Sequence, residues 1–266
     1  MSAPDLHVTD AGEGRCVVLL HGLTATHRYV VMGSRSLERS GHRVVAYDAR
    51  GHGASAPAAS YAYPDLAADL LALLDDRGIE RAVLAGASMG AHTLLRLALE
   101  HPGRVAGCVV ITPAFHPGSP PDLDRWDQLA EGLRTGGVDG FVEAYELDGV
   151  PERWRETTDR VLRQRLGAHE RPSAVADALE QVPRSAPYDL EDLAGIGVPC
   201  IVVADRDEAD PGHPLWVGEE YAARIPGARL EVEPEGSSPL AWQGGQLSKV
   251  IAGLAEQVLP ALGIEP

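Results

Sequence analysis

Ala82-Val83-Leu84-Ala85 runs straight into Gly86-Ala87-Ser88-Met89-Gly90, and Ala91 to Glu100 follows as an amphipathic run. Apolar strand, sharp turn and helix are the context in which G-x-S-x-G forms a nucleophile elbow. The serine of such a turn has a strained backbone, and its neighbours must carry almost no side chain, so glycines flank it. This reading puts the Ser88 hydroxyl at the rim of a sheet. The plain alternative is a serine that merely caps a helix after a glycine turn. Met89 supplies a backbone N–H at the helix start, where free amides and the helix dipole favour negative charge.

Outward from this stretch, short apolar runs alternate with helical patterns. Cys16 to Leu20, Val44 to Tyr47, Ala82 to Ala85 and Val105 to Thr112 read as strands. Gly33 to Ser40, Asp65 to Arg77 and Ser88 to Glu100 read as helices, with Leu66, Leu70, Leu73 and Leu74 on one face of the second. The apolar runs are continuous rather than alternating. Both sheet faces must therefore be covered, which predicts an α/β fold with a doubly wound, mostly parallel sheet. From Arg125 to Val182 the pattern is helical only: Trp126 to Arg134, Gly140 to Glu146, Glu152 to Leu166 and Ser173 to Val182. Strand–helix alternation resumes with Cys200 to Ala204, Trp216 to Arg224, Leu230 to Val232 and Leu247 to Val258. The expected organisation is a core of residues 1–113 and 186–266 with a helical cap inserted at 114–185.

Bulk properties narrow the function. The 266 residues carry a net charge of -16, which argues against nucleic acid or an anionic membrane surface as partners. No apolar stretch approaches the roughly 20 residues of a membrane span, and the first ten residues lack the basic start of a signal peptide. A cytoplasmic protein is expected. Cys16, Cys108 and Cys200 each begin an apolar, β-branched run, so they read as small core residues rather than a disulfide framework or zinc site. A small-molecule substrate is the expected partner, with no cofactor and no metal; a homo-oligomer is left open.

Further residues of chemical interest sit after the other strands. His21-Gly22-Leu23 follows the first, and a turn there aims the Leu23 N–H toward the Met89 N–H, giving two donors for an oxyanion. His21 itself reads as structural support beneath the turn. Asp48-Ala49-Arg50-Gly51-His52-Gly53 reads as a tight structural loop. Asp207, with Asp205 as runner-up, follows Cys200 to Ala204 at the carboxyl end of the sheet, where a carboxylate can orient a histidine. The histidine itself is missing from its expected place. After Leu230 to Val232 stands Glu235-Gly236-Ser237-Ser238-Pro239, and after Asp207 the chain has one histidine, His213.

Together these segments resemble the α/β-hydrolase superfamily, near its cap-bearing bacterial esterases, enol-lactonases and cofactor-free haloperoxidases. The resemblance spans His7 to Leu262 and rests on His21-Gly22-Leu23, Asp48-x-Arg50-Gly51-His52-Gly53, Gly86-x-Ser88-x-Gly90 and Asp207. It implies a serine nucleophile at Ser88, an oxyanion hole at Leu23 and Met89, an acid at Asp207, and a histidine where Ser237 stands. Four explanations of that gap compete. The base is relocated, to His213 or His116; or the pocket serves non-hydrolytic chemistry such as cyclisation or carbon–carbon bond formation; or the chain is an inactivated His-to-Ser variant; or it is a ligand-binding module. For both histidines the plain reading is a loop residue in solvent. Hydrolysis of an ester, lactone or related acyl bond in a small to mid-sized, largely apolar molecule is the leading expectation. His21, His27, His116, Trp126, Trp154 and Trp242 are the candidate lining of the substrate space, with Phe141 and Tyr145 as further aromatic walls.

Overall fold

The computed structural model describes residues 5–206, 210, 212–235, 242–260 and 263. Seven strands among them form one sheet: β1 (Val8–Ala11), β2 (Arg15–Leu20), β3 (His42–Tyr47), β4 (Ala82–Ala87), β5 (Val105–Ile111), β6 (Cys200–Ala204) and β7 (Arg229–Val232), in the order β1-β3-β2-β4-β5-β6-β7. Six are parallel, and β1 alone pairs antiparallel, on β3. Sequence reading missed β1. Its residues Val8-Thr9-Asp10-Ala11 are mostly exposed at the sheet edge and lack the apolar run that marks the buried strands.

The helices are α1 (Ser36–Arg39), α2 (Tyr63–Asp76), α3 (Met89–Glu100), α4 (Leu123–Tyr145), α5 (Glu152–Leu166), α6 (Pro172–Gln181), α7 (Leu215–Arg224) and α8 (Gly244–Val258). Two apolar clusters lie on opposite faces of the sheet. In β2, Val18 and Leu20 join the cluster containing Leu70, Leu74, Leu94 and Tyr221, whereas Val17 and Leu19 join the one containing Leu37, Ile251 and Leu254. This two-sided cover explains the unbroken apolar runs. Cys108 and Cys200 are buried register partners on β5 and β6, and all three cysteines are free.

Two helix expectations change in detail. The run Gly33 to Ser40 shrinks to the single turn α1. The two helices expected at Trp126 and Gly140 are joined as α4, which breaks at Gly137 (φ 61°, ψ -145°). Its two limbs touch there: a Cβ on Gly132 would lie 2.5 Å from the Gly140 carbonyl oxygen. Helices α4 to α6, here called the cap, share an apolar cluster of their own that includes Leu133, Phe141, Leu166 and Leu179.

Candidate active site

Ser88 stands between β4 and α3 with φ 50° and ψ -112°, a backbone region that costs a non-glycine residue roughly 1–3 kcal/mol. Close packing holds it there. A Cβ on Gly86 would come within 2.5 Å of the Gly90 carbonyl carbon and 2.8 Å of the Ala91 nitrogen. One on Gly90 would meet the backbone of Leu20 and would lie 2.8 Å from the His21 oxygen. Both glycines are therefore required by neighbouring backbone. The Ser88 amide donates to the Ile111 carbonyl of β5 at 2.9 Å, which ties the turn to the sheet.

The half-buried imidazole of His213 meets this serine. Its Nε2 lies 2.8 Å from Ser88 Oγ, and its Nδ1 lies 2.8 Å from Asp210 Oδ2. A carboxylate only accepts, so Nδ1 carries the proton and Nε2 accepts from the serine hydroxyl. Burial disfavours the imidazolium, but the charge and hydrogen bond of Asp210, with Asp205 adding to them, raise the His213 pKa above its ordinary value despite the opposing Arg165. For Asp210, burial favours the neutral acid. The His213 charge and hydrogen bond outweigh it, and the pKa falls below the usual carboxylate value.

The loop after β2 lies directly against the serine. A Cβ on Gly22 would be 3.5 Å from Ser88 Cβ and 3.3 Å from the Ala87 oxygen. The Ala49 amide donates to His21 Nε2 at 2.8 Å, so Nδ1 carries the proton and donates to the Gly22 carbonyl, also at 2.8 Å. Carbonyl and N–H of one trans peptide point in opposite directions. Anchoring the Gly22 oxygen on His21 therefore turns the Leu23 N–H to the other side of the loop. Met89 opens α3, where the amide has no partner within the helix.

A family model described as alpha/beta hydrolase fold matches residues 15–148. The chain belongs to the alpha/beta hydrolase family. A 2-hydroxy-6-oxononadienedioate/2-hydroxy-6-oxononatrienedioate hydrolase of Pseudomonas putida is 33% identical over 241 residues, covering 85% of this chain and 82% of its own length. A 3-oxoadipate enol-lactonase of Acinetobacter baylyi is 28% identical over 200 residues, 73% of this chain and 71% of that one. Among solved structures, a thermophilic esterase from Thermogutta terrifontis has a TM-score of 0.77 at 26% identity, covering 95% of this chain and 93% of its own. The protein is an enzyme of the alpha/beta-hydrolase fold.

Several residues of this alpha/beta hydrolase sit differently from expectation. Asp207 and Ser237 lie outside the described residues. The carboxylate on His213 is Asp210, which sequence reading had not singled out, although Asp210-x-x-His213 in a Pro/Gly turn was a usable signal. The solvent-loop reading of His213 is overturned by its two side-chain bonds. His116 is not the histidine at Ser88: its Nδ1 accepts from the Gly118 amide at 3.0 Å, and its ring stands 4.8 Å from that of Trp216. His21 is buried, and burial lowers its pKa to about 4, so it supports the loop as a neutral ring rather than lining substrate space.

His27 donates from both its backbone N–H and Nδ1 to Asp48 Oδ1 at 2.8 Å, and Ala54 donates to Oδ2 at 3.1 Å. Burial opposes ionisation of Asp48, but these bonds hold its pKa below the usual range. Among the described residues, His7, His27 and Asp48 bring possible ligand atoms within 4.8 Å of one another. The Asp48 carboxylate accepts three N–H bonds, two from His27 and one from Ala54, and these anchor the loop. Trp126 packs on the cap cluster, Trp154 lies under Arg153 at 5.7 Å, and Trp242 donates Nε1 to the Ala204 carbonyl at 2.9 Å. No helix among the described residues is long and apolar enough to cross a membrane.

His92, one turn beyond Ser88, escaped sequence reading. Its buried Nε2 accepts from the amides of Ala114 and Phe115 at 3.2 and 3.1 Å, and its Nδ1 donates to Tyr188 Oη at 2.9 Å. Tyr188 passes the chain to Tyr221, which donates to the Phe115 carbonyl at 2.8 Å. Burial lowers the His92 pKa to about 3. This neutral network fixes the loop between β5 and the cap.

Proposed function

We propose that the protein is a serine hydrolase that cleaves an ester, lactone or related acyl bond in a small to mid-sized, largely apolar molecule, using Ser88, His213 and Asp210. The 2.8 Å contact between His213 Nε2 and Ser88 Oγ carries this reading. A base within about 2.6–3.2 Å of the proton it takes meets the geometric requirement for general-base catalysis. The chain order nucleophile, acid, base is kept, but the base comes three residues after the acid instead of beyond β7.

In the reaction, Ser88 Oγ attacks the acyl carbon while its proton passes to His213 Nε2. Asp210 holds the imidazole in the required tautomer and stabilises the imidazolium. The negative charge that develops on the carbonyl oxygen is received by the Leu23 and Met89 amides; losing one such donor typically costs about 100- to 1,000-fold in rate. His213 then protonates the departing alkoxide, which leaves an acyl group on Ser88. Water, deprotonated by the same histidine, attacks that acyl group and frees the serine.

A panel of p-nitrophenyl and lactone substrates, with fluorophosphonate labelling followed by mass spectrometry, tests the proposal. Wild-type protein is expected to turn over and to be labelled on Ser88, and Ser88→Ala is expected to lose both. Turnover retained in Ser88→Ala contradicts the acyl-enzyme reading and favours chemistry by positioning and proton transfer.

A further inference from the structure

The loop carrying the Leu23 amide is held from the cap as well as from the sheet. Its three successive carbonyls are all bonded. Gly22 accepts from His21 and from the Ala25 amide at 3.0 Å. Leu23 accepts from the Arg165 guanidinium at 3.1 Å, and the same nitrogen lies 3.0 Å from Thr24 Oγ1. Thr24 accepts from His169 Nε2 at 2.9 Å. The tautomer of His169 follows from its other nitrogen: the Gly53 amide donates to Nδ1 at 2.8 Å, so the proton resides on Nε2.

Arg165 lies in the last turn of α5, and His169 lies between α5 and α6, so both belong to the cap. The Leu23 side chain also packs against the cap's apolar cluster. Thr24 has φ 70°, a left-handed conformation without glycine's freedom. Such strain persists only where the surroundings over-determine it, and here two cap side chains and the buried His21 supply that constraint.

We propose that Arg165 and His169 are positioning residues of the oxyanion site: they latch the cap onto Leu23 and Thr24, so that the Leu23 amide is aimed at the acyl oxygen only while the cap is seated. The cap is then part of the catalytic scaffold and not merely a cover over substrate. Neither residue has to touch substrate for this role. The inference rests on the reading of Ser88 and Leu23 given above.

His169 provides the cleaner test, because Arg165 also acts on the charges of Asp210 and His213. In His169→Ala, kcat for p-nitrophenyl acetate is expected to fall about 10- to 100-fold, since a misplacement on the order of 1 Å can cost ~100-fold. KM should stay within about threefold, and the acid limb of the pH profile should not move. His169→Gln offers an acceptor and a donor at similar separation, one for the Gly53 amide and one for the Thr24 carbonyl, and should recover most of the rate. Arg165→Met should lower kcat similarly and move the acid limb upward, because the guanidinium holds the His213 pKa down.

Amide exchange over residues 22–27 gives a readout independent of turnover. It should accelerate at least about tenfold in His169→Ala while the rest of β2 keeps wild-type protection. Unchanged kcat with unchanged exchange overturns the latch, as does a loss confined to KM or a Gln variant as impaired as the Ala variant. If wild-type protein shows no Ser88-dependent turnover, the proposed function fails, and the exchange comparison alone decides the latch. If His169→Ala does not fold, His169→Gln and Arg165→Met decide by the same measurements.

Discussion

Replacing Asp210 with asparagine removes one negative charge while nearly preserving side-chain volume. In the native arrangement, the carboxylate accepts the His213 Nδ1 proton at 2.8 Å and a bond from the Gly212 amide. Asparagine has a single acceptor oxygen. If Gly212 retains it, the amide NH2 faces His213 Nδ1, and the imidazole proton must move to Nε2, where it blocks acceptance from Ser88. If His213 retains it, the imidazolium formed during reaction still loses its counter-charge. Either outcome should lower kcat/KM by about 100- to 10,000-fold. The pH profile supplies a second, signed readout. His213 acts as a base only when neutral, and its raised pKa puts the wild-type acid limb above pH ~6.5. Burial pushes that pKa down and Asp210 is the main opposing influence, so Asp210→Asn should move the limb to lower pH. Rates of p-nitrophenyl acetate hydrolysis between pH ~5 and ~9 measure both effects. An unchanged kcat/KM with an unmoved limb would refute the assignment of Asp210, and a limb that moved upward would refute the electrostatic argument.

Gly90→Ala should destabilise the protein by about 1–3 kcal/mol in urea unfolding and reduce Ser88 labelling, because its methyl group would press on the backbone of Leu20 and His21; native stability and labelling would contradict the packing described for the elbow. Stability should also fall on acidification from about pH 7.5 to about pH 5. His21 and His92 have folded pKa values of about 4 and about 3, so below the unfolded value of ~6.5 the unfolded chain binds protons that the folded chain refuses. These two contribute roughly 2 kcal/mol each at pH ~5, and a flat urea midpoint over that range would show that they are not buried as neutral rings. Arg50→Met should cost about 3–5 kcal/mol, because it strands Asp69 Oδ1 and Oδ2, which Arg50 now binds at 2.7 and 2.6 Å with both side chains buried; a loss under about 1 kcal/mol by urea unfolding would contradict that account.

Most of the sheet was legible because β2 to β6 are largely buried on both faces. A continuous run such as Cys108-Val109-Val110-Ile111 leaves few alternatives, whereas the exposed edge strand β1 carries no such mark. The elbow was legible because backbone crowding at Gly86 and Gly90 demands a residue without a side chain, and that demand is written in the sequence. The base was only half legible. His213 was among the candidates, and Asp210 three residues before it was a local signal, but nothing local shows that Ser88, 125 residues earlier in the chain, meets the same imidazole. Arg165, His169 and His92 were illegible for a related reason. Their partners lie 22 to 145 residues away in the chain, and the bonds that define them run mostly to backbone atoms, which leave no compositional trace.

The central claim is that His213 activates Ser88. Single-turnover acylation and fluorophosphonate labelling of His213→Ala, with thermal unfolding as a control for folding, test it directly. A folded variant whose acylation rate drops at least about a hundredfold is the predicted result. A folded variant that acylates within about twofold of the wild-type rate would contradict it and would require a base elsewhere in the chain.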